Sequence, residues 1–323
     1  MHIASFSRYV YLWHLPVFFV IAGYFLRPAK DKTFIINKAK RLLVSCYLTS
    51  LVLLILLCAK TLFTEESVLE QFKKILFACF YAAGDEWKKP FYIPQIGAIW
   101  YLWALFLSLV ICNHFLKKRY GPFFIVLISF AGWASYHYTK FWLPLSIQAG
   151  MLCSLYLLIG YWCKKKGLGP KDVPLSVFLL SFLLACIGIF FFKGFWLVHA
   201  YMGNGWIDFA FSIFASLVII VISEKICEKT KNLKRMLLFF GKNSLLILCA
   251  HIVDLKVWRF RTLVPKILAS FPFLSDGIVS LAIVYIVKVI YVSVAVILLM
   301  KIPFVADVFS YRKATNGTEQ RNR

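Results

Sequence analysis

The chain has 323 residues, of which 61% are hydrophobic and 18% aromatic, with a mean hydropathy of +0.78, a composition that excludes an ordinary soluble domain. Its formal charge of +23 would suit nucleic acid, but the lysines and arginines fall in short clusters between apolar runs. That is the pattern of a membrane topology signal, so the expected partner is membrane lipid and not nucleic acid.

A spanning helix needs about 20 apolar residues, and on that measure the sequence predicts an all-α, polytopic transmembrane bundle of about nine spans. The first is Tyr9 to Leu26, YVYLWHLPVFFVIAGYFL, which places His14 inside an apolar segment two residues before Pro16. Met1 to Arg8 shows no basic region followed by a small-residue cleavage site, so this first span is expected to direct insertion itself. A basic stretch containing Lys38, Lys40 and Arg41 leads into the second span, Leu42 to Phe63. Val68 to Ala83 carries apolar residues at helical spacing beside Glu70, Lys73 and Lys74, which predicts an interfacial helix.

The next spans are Ile96 to Phe115, Pro122 to Tyr138, Leu143 to Cys163, Val173 to Phe192, Ile207 to Ser223, Met236 to Val253 and Gly277 to Met300. Lys256 to Asp276 reads as an amphipathic connection, interfacial or re-entrant. Residues 1–310 form one transmembrane domain and 311–323 a polar tail. Alternate loops are rich in Lys and Arg, which sets the carboxyl terminus in the cytoplasm and, with nine spans, the amino terminus outside. The basic group at Lys256, Arg259, Arg261 and Lys266 breaks that alternation; it reads as interfacial snorkelling or as cations near an anionic or sugar-rich acceptor.

The nine cysteines lie mostly in apolar runs without a C-x-x-C pair and read as small buried hydrophobes. No metal-ligand signature, Walker motif or G-x-S-x-G elbow occurs, so no metal is expected. Chemistry must therefore come from polar residues in the spans.

An imidazole in lipid is costly unless it faces a protein interior or a wet cavity, which makes His14 a candidate functional residue. His251 is another. Asn243 and Ser244 precede it by eight and seven residues, about two helical turns, and Asp254 follows by three, where its carboxylate could fix the imidazole's tautomer. A hydrogen-bonded seam between helices explains the same pattern equally well. Lys288 is central to its span and is expected to be paired or to face a cavity. His114 and His137 sit at span ends, where a structural role suffices, and His199 lies in the glycine-containing loop VHAYMGNGW. Trp100, Tyr101 and Trp103 fit an aromatic belt at the outer interface.

Several stretches together resemble the integral-membrane acyltransferase-3 family, most closely its fucose 4-O-acetylase-like, sugar O-acetyltransferase branch. They are YLWHLPVFFVIAGYF with the K-A-K-R-L-L run at Lys38 to Leu43, AIWYLWALF, LPLSIQAGMLCSLYLLIGYW and FFGKNSLLILCAH. The resemblance covers nearly the whole chain. It implies transfer of an acetyl group from acetyl-CoA, as cosubstrate, to a hydroxyl of an envelope or capsular sugar, so the implied partner is a carbohydrate acceptor. It also implies ten spans with both ends cytoplasmic, the first ending in a histidine eleven residues after an Arg or Lys. A helix before residue 1 would reconcile ten with nine. His2, twelve residues before His14, fits that histidine, whereas the Arg or Lys has no counterpart.

On this reading His2 or His14 is the general base, and Trp100, Asn243, Ser244 and His251 line the acceptor site. Lys38, Lys40 and Arg41 take the CoA phosphates. A carrier or flippase for a sugar-bearing lipid, with the histidines as proton relays, and an inactive shortened homologue are the rival readings.

Overall fold

The computed structural model describes residues 10–63, 67–88, 91–191, 193–271, 273 and 277–309. His2 and the tail 311–323 lie outside the described residues. The described chain is almost entirely helical: α1 (Pro16–Tyr24), α2 (Asp31–Thr61), α3 (Val68–Tyr81), α4 (Trp100–Phe115), α5 (Gly121–Thr139), α6 (Ile147–Lys165), α7 (Leu175–Phe190), α8 (Trp206–Lys229), α9 (Lys231–Lys242), α10 (Ser244–Val253), α11 (Phe260–Leu268), α12 (Gly277–Leu299) and α13 (Pro303–Phe309). A two-residue hairpin, β1 (Phe195–Trp196) with β2 (Tyr201–Met202), pairs Phe195 with Met202 between α7 and α8.

Each of the nine predicted stretches contains an α-helix. By length and apolar composition α2, α8 and α12 are long enough to cross a membrane, and a fourth span results if the chain from α9 through α10 is taken as one broken element. The protein is an all-α membrane protein.

Three boundaries differ from the sequence expectation, each for a local reason. The first stretch is interrupted at His14 and Leu15, and α1 starts afresh with Pro16 at its amino-terminal position. Proline has no N–H to give the preceding turn, yet its fixed φ suits a helix start. The second helix begins at Asp31, not Leu42, so Lys38, Lys40 and Arg41 are on α2 and not in a loop. The eighth stretch breaks at Asn243, where α9 and the helical run from Ser244 to Trp258 meet at 72°.

The chain divides into two compact units, one from residues 1–36 and 101–237, the other from 37–100 and 238–323. Within the first, α6 packs against α1 and α5, while α7 packs against α8. Small residues permit this. A Cβ on Gly23 of α1 would strike the Leu157 carbonyl of α6, and one on Gly160 of α6 would strike the Val20 carbonyl of α1. Where lipid is as apolar as leucine, such backbone approach supplies the packing energy that hydrophobicity cannot. Serines seal the seam: Ser108 Oγ donates to the Gly150 carbonyl at 2.7 Å, and the Tyr156 and Ser212 hydroxyls meet at 2.6 Å.

Gly160→Leu is accordingly expected to lower stability by about 3 kcal/mol, the upper end for overpacking, because the obstacle is backbone and cannot turn away. Gly241→Ala, in open space within α9, should raise it by about 0.5 kcal/mol. Thermal unfolding in one detergent checks both.

The second unit has its own core of Leu246, Cys249 and Ala250 from α10, Val292 and Val296 from α12, and Phe309 from α13. Leu48 of α2 packs against it. All nine cysteines are free thiols.

Candidate functional site

His14 belongs to the first unit, at the break that precedes Pro16. Its Nδ1 lies 2.9 Å from the Val10 carbonyl oxygen. A carbonyl only accepts, so Nδ1 carries the hydrogen and Nε2 keeps the lone pair. The Tyr11 ring stands edge-on to the imidazole at 5.1 Å. The imidazole is thus half-buried at a helix break, with its tautomer set by a backbone acceptor and Nε2 left as its acceptor nitrogen.

Lys38, Lys40, Arg41, Trp100, Asn243, Ser244 and His251 all belong to the second unit. Lys38 and Arg41, three residues apart, share a flank of α2 and are half-buried, whereas Lys40 is exposed. Arg41 sits where the Ser45 hydroxyl donates back to its carbonyl at 2.6 Å. Trp100 opens α4 and is buried, which takes it out of a lipid-facing aromatic belt.

The polar stripe expected along Asn243, Ser244 and His251 is interrupted by the break. Asn243 stands outside α10, and its side-chain amide donates to the Phe239 carbonyl at 2.8 Å. Ser244 is exposed at the start of α10 and shares the side of His251, but stands two turns, about 10 Å, along the axis from it, while Asn243 lies beyond the helix end. Asp254 does not hold the imidazole either. His251 Nδ1 and Asp254 Oδ2 are 3.9 Å apart, too far for a hydrogen bond.

Asp254 is instead the knot of the second unit. Its side chain is 1% exposed, and Oδ2 lies 3.0 Å from Lys288 Nζ of α12. Its Oδ1 accepts the backbone N–H of Phe260 at 3.0 Å, capping α11, and its carbonyl accepts the N–H of Arg259 at 2.6 Å across a single π-helical turn, Asp254–Trp258. Lys288 at the middle of α12 thus has its partner 34 residues earlier in the chain. Nearby, Trp258 Nε1 lies 3.2 Å from the Tyr291 hydroxyl. Lys256, within the same turn, reaches the Gln95 carbonyl at 3.4 Å.

Three further polar clusters in the first unit were not apparent in the sequence. Asn113 is buried and grips Ala29 through both backbone atoms, while Asp31 receives Asn113, His114 and Lys117. The structural reading of His114 fits this clamp. Asp208, fully buried in the first turn of α8, accepts the Asn204 backbone N–H at 2.7 Å and its side-chain amide at 3.0 Å, which fixes the glycine-flanked loop. His199 is buried among aromatics, stacked 5.6 Å from Tyr136 and edge-on 4.5 Å from Trp142. The weak signal for the last two was a lone carboxylate and a lone imidazole bordering apolar runs.

At the end of α8 the Lys171 ammonium lies 2.6 Å from Glu228, whose carboxylate raises its pKa.

A family model described as an acyltransferase domain matches residues 1–301. No curated protein and no solved structure matches the chain. With the family model spanning nearly all of its helical sequence, the chain belongs to the acyltransferase-3 family of membrane acyltransferases.

Proposed function

We propose that the protein is a membrane O-acetyltransferase of the fucose 4-O-acetylase-like branch, moving acetyl from acetyl-CoA to a hydroxyl of an envelope or capsular sugar. The observation that carries this reading beyond the family is His14, whose Nδ1–H is tied to the Val10 carbonyl so that Nε2 is basic. His14 Nε2 takes the hydroxyl proton as the sugar oxygen attacks the thioester carbonyl. The Nδ1 hydrogen bond steadies the resulting imidazolium. Collapse of the tetrahedral adduct breaks the C–S bond, and Nε2–H returns the proton to the departing thiolate, giving the sugar ester and CoA.

Lys38 and Arg41 suit the CoA phosphates, since a half-buried Lys and Arg on one helix flank present two cations to one diphosphate. Lys40 adds charge at the exposed edge. His251 and Trp100 serve the acceptor side, with Ser244 and Asn243 at the helix break. The protein is read as a multi-pass protein of the cell membrane, with the basic loops and carboxyl terminus cytoplasmic, which puts these cations where acetyl-CoA is made.

Membrane vesicles bearing the protein should transfer label from acetyl-CoA to envelope polysaccharide in alkali-labile ester linkage. Flux of a sugar-lipid without ester formation would overturn the proposal in favour of a carrier. Lys38→Gln and Arg41→Gln should each raise KM for acetyl-CoA roughly tenfold at unchanged kcat, the loss of one charge-assisted contact made equally in ground and transition states.

A further inference from the structure

The helix α9 reads KNLKRMLLFFGK and contains no acidic residue. At 100° per residue, Lys231, Lys234, Arg235 and Lys242 fall within one side of the helix, interrupted by the exposed Leu238, while Leu233, Met236, Leu237 and Phe240 fall on the opposite side. No residue of α9 is buried by protein, and Met236 and Leu237 of the apolar stripe are exposed. Phe239, on the flank between the stripes, packs on the α10–α12 core and fixes the rotation of the helix.

A basic stripe opposite a half-exposed apolar stripe does not suit a spanning segment, where the cations would meet hydrocarbon. It suits a helix lying in the plane of the interface, its apolar side sunk among acyl chains and its cations level with phosphate groups. The 72° turn at Asn243, closed by the Asn243 amide on the Phe239 carbonyl, redirects the chain between α9 and the apolar α10. Charge points to the occupant. Just before α9, Glu228 takes Lys171 at 2.6 Å and also attracts Lys234, while α9 itself carries no carboxylate for Lys231, Arg235 and Lys242.

We propose that α9 is an interfacial helix whose basic stripe binds the headgroups of anionic phospholipids in the surrounding leaflet. The proposal does not depend on the chemistry assigned to His14.

The test uses the full-length protein in nanodiscs of phosphatidylcholine, with and without phosphatidylglycerol, followed by amide hydrogen exchange. Amides of residues 231–242 should exchange at least about five-fold more slowly with phosphatidylglycerol present, the weight of a single cation at an anionic surface. The difference should vanish in Lys231→Gln/Lys234→Gln/Arg235→Gln/Lys242→Gln and persist in Lys164→Gln/Lys165→Gln/Lys166→Gln, a variant that loses charge elsewhere. Unchanged exchange across α12 would show that both variants are folded, and a Met236→Gln/Leu237→Gln variant should lose protection in both lipids. Equal protection in the two lipids would overturn the proposal. So would equal protection by free CoA added to phosphatidylcholine discs, which would make the stripe a site for a soluble phosphate.

Discussion

His14→Gln is expected to lower the rate of acetyl transfer by about 10²- to 10⁴-fold, the usual worth of a positioned general base. Glutamine is close in size, and its amide can still donate to the Val10 carbonyl, so the break before Pro16 should survive. What it lacks is a lone pair basic enough to take a hydroxyl proton. The measurement is single-turnover label transfer in vesicles at saturating acetyl-CoA, with thermal unfolding alongside. Loss of rate at unchanged melting temperature, partly rescued in His14→Ala by added imidazole, is the expected pattern. Wild-type rates in His14→Gln would remove His14 from the chemistry.

The second large effect concerns stability. Lys288→Met should cost about 3–5 kcal/mol, because it strands a carboxylate in an apolar core. The Asp254 side chain is 1% exposed and Lys288 16%, so water cannot take over the lost role. Asp254→Asn removes the charge while keeping an oxygen for the Phe260 N–H, and the double variant Asp254→Asn/Lys288→Met should recover more than half of the single loss. Denaturant unfolding of the three variants gives the coupling directly. Additive single effects would show that the two groups do not act as a pair.

Apolar length located the nine helical stretches well, since burial in lipid depends mainly on composition. Boundaries were less legible. The start of α2 at Asp31 was hidden because Lys32 to Arg41 reads as a basic loop, although lysine and arginine are good helix formers whose long stems tolerate an interface. The break at Asn243 was hidden because the apolar side of α9 runs straight into α10 when only hydropathy is followed. The opposite stripe of Lys231, Lys234 and Arg235 was the sign of a change in environment.

The candidate site was legible by residue type and not by pairing. Asp254 and Lys288 were each visible as charges near or within apolar runs, but they join across 34 positions, and local spacing cannot reveal such a bond. Local reasoning instead matched Asp254 to His251 three residues away, a separation that the π-helical turn leaves at 3.9 Å. His14 was legible as a candidate because its setting is local: the imidazole, the proline two residues on and the Val10 carbonyl all lie within one short stretch.

The bond between Asp254 and Lys288 also bears on how the protein reaches the bilayer. Lys288 is at the midpoint of α12, where an unaccompanied lysine costs about 2.5–3.5 kcal/mol on insertion. By itself α12 is therefore a reluctant passenger. Its neutralising carboxylate is synthesised earlier, at the end of α10, so that helix must still be within reach when α12 leaves the translocation machinery. Membrane entry of the carboxyl-terminal quarter is in this sense a joint event, with α10 waiting to receive α12.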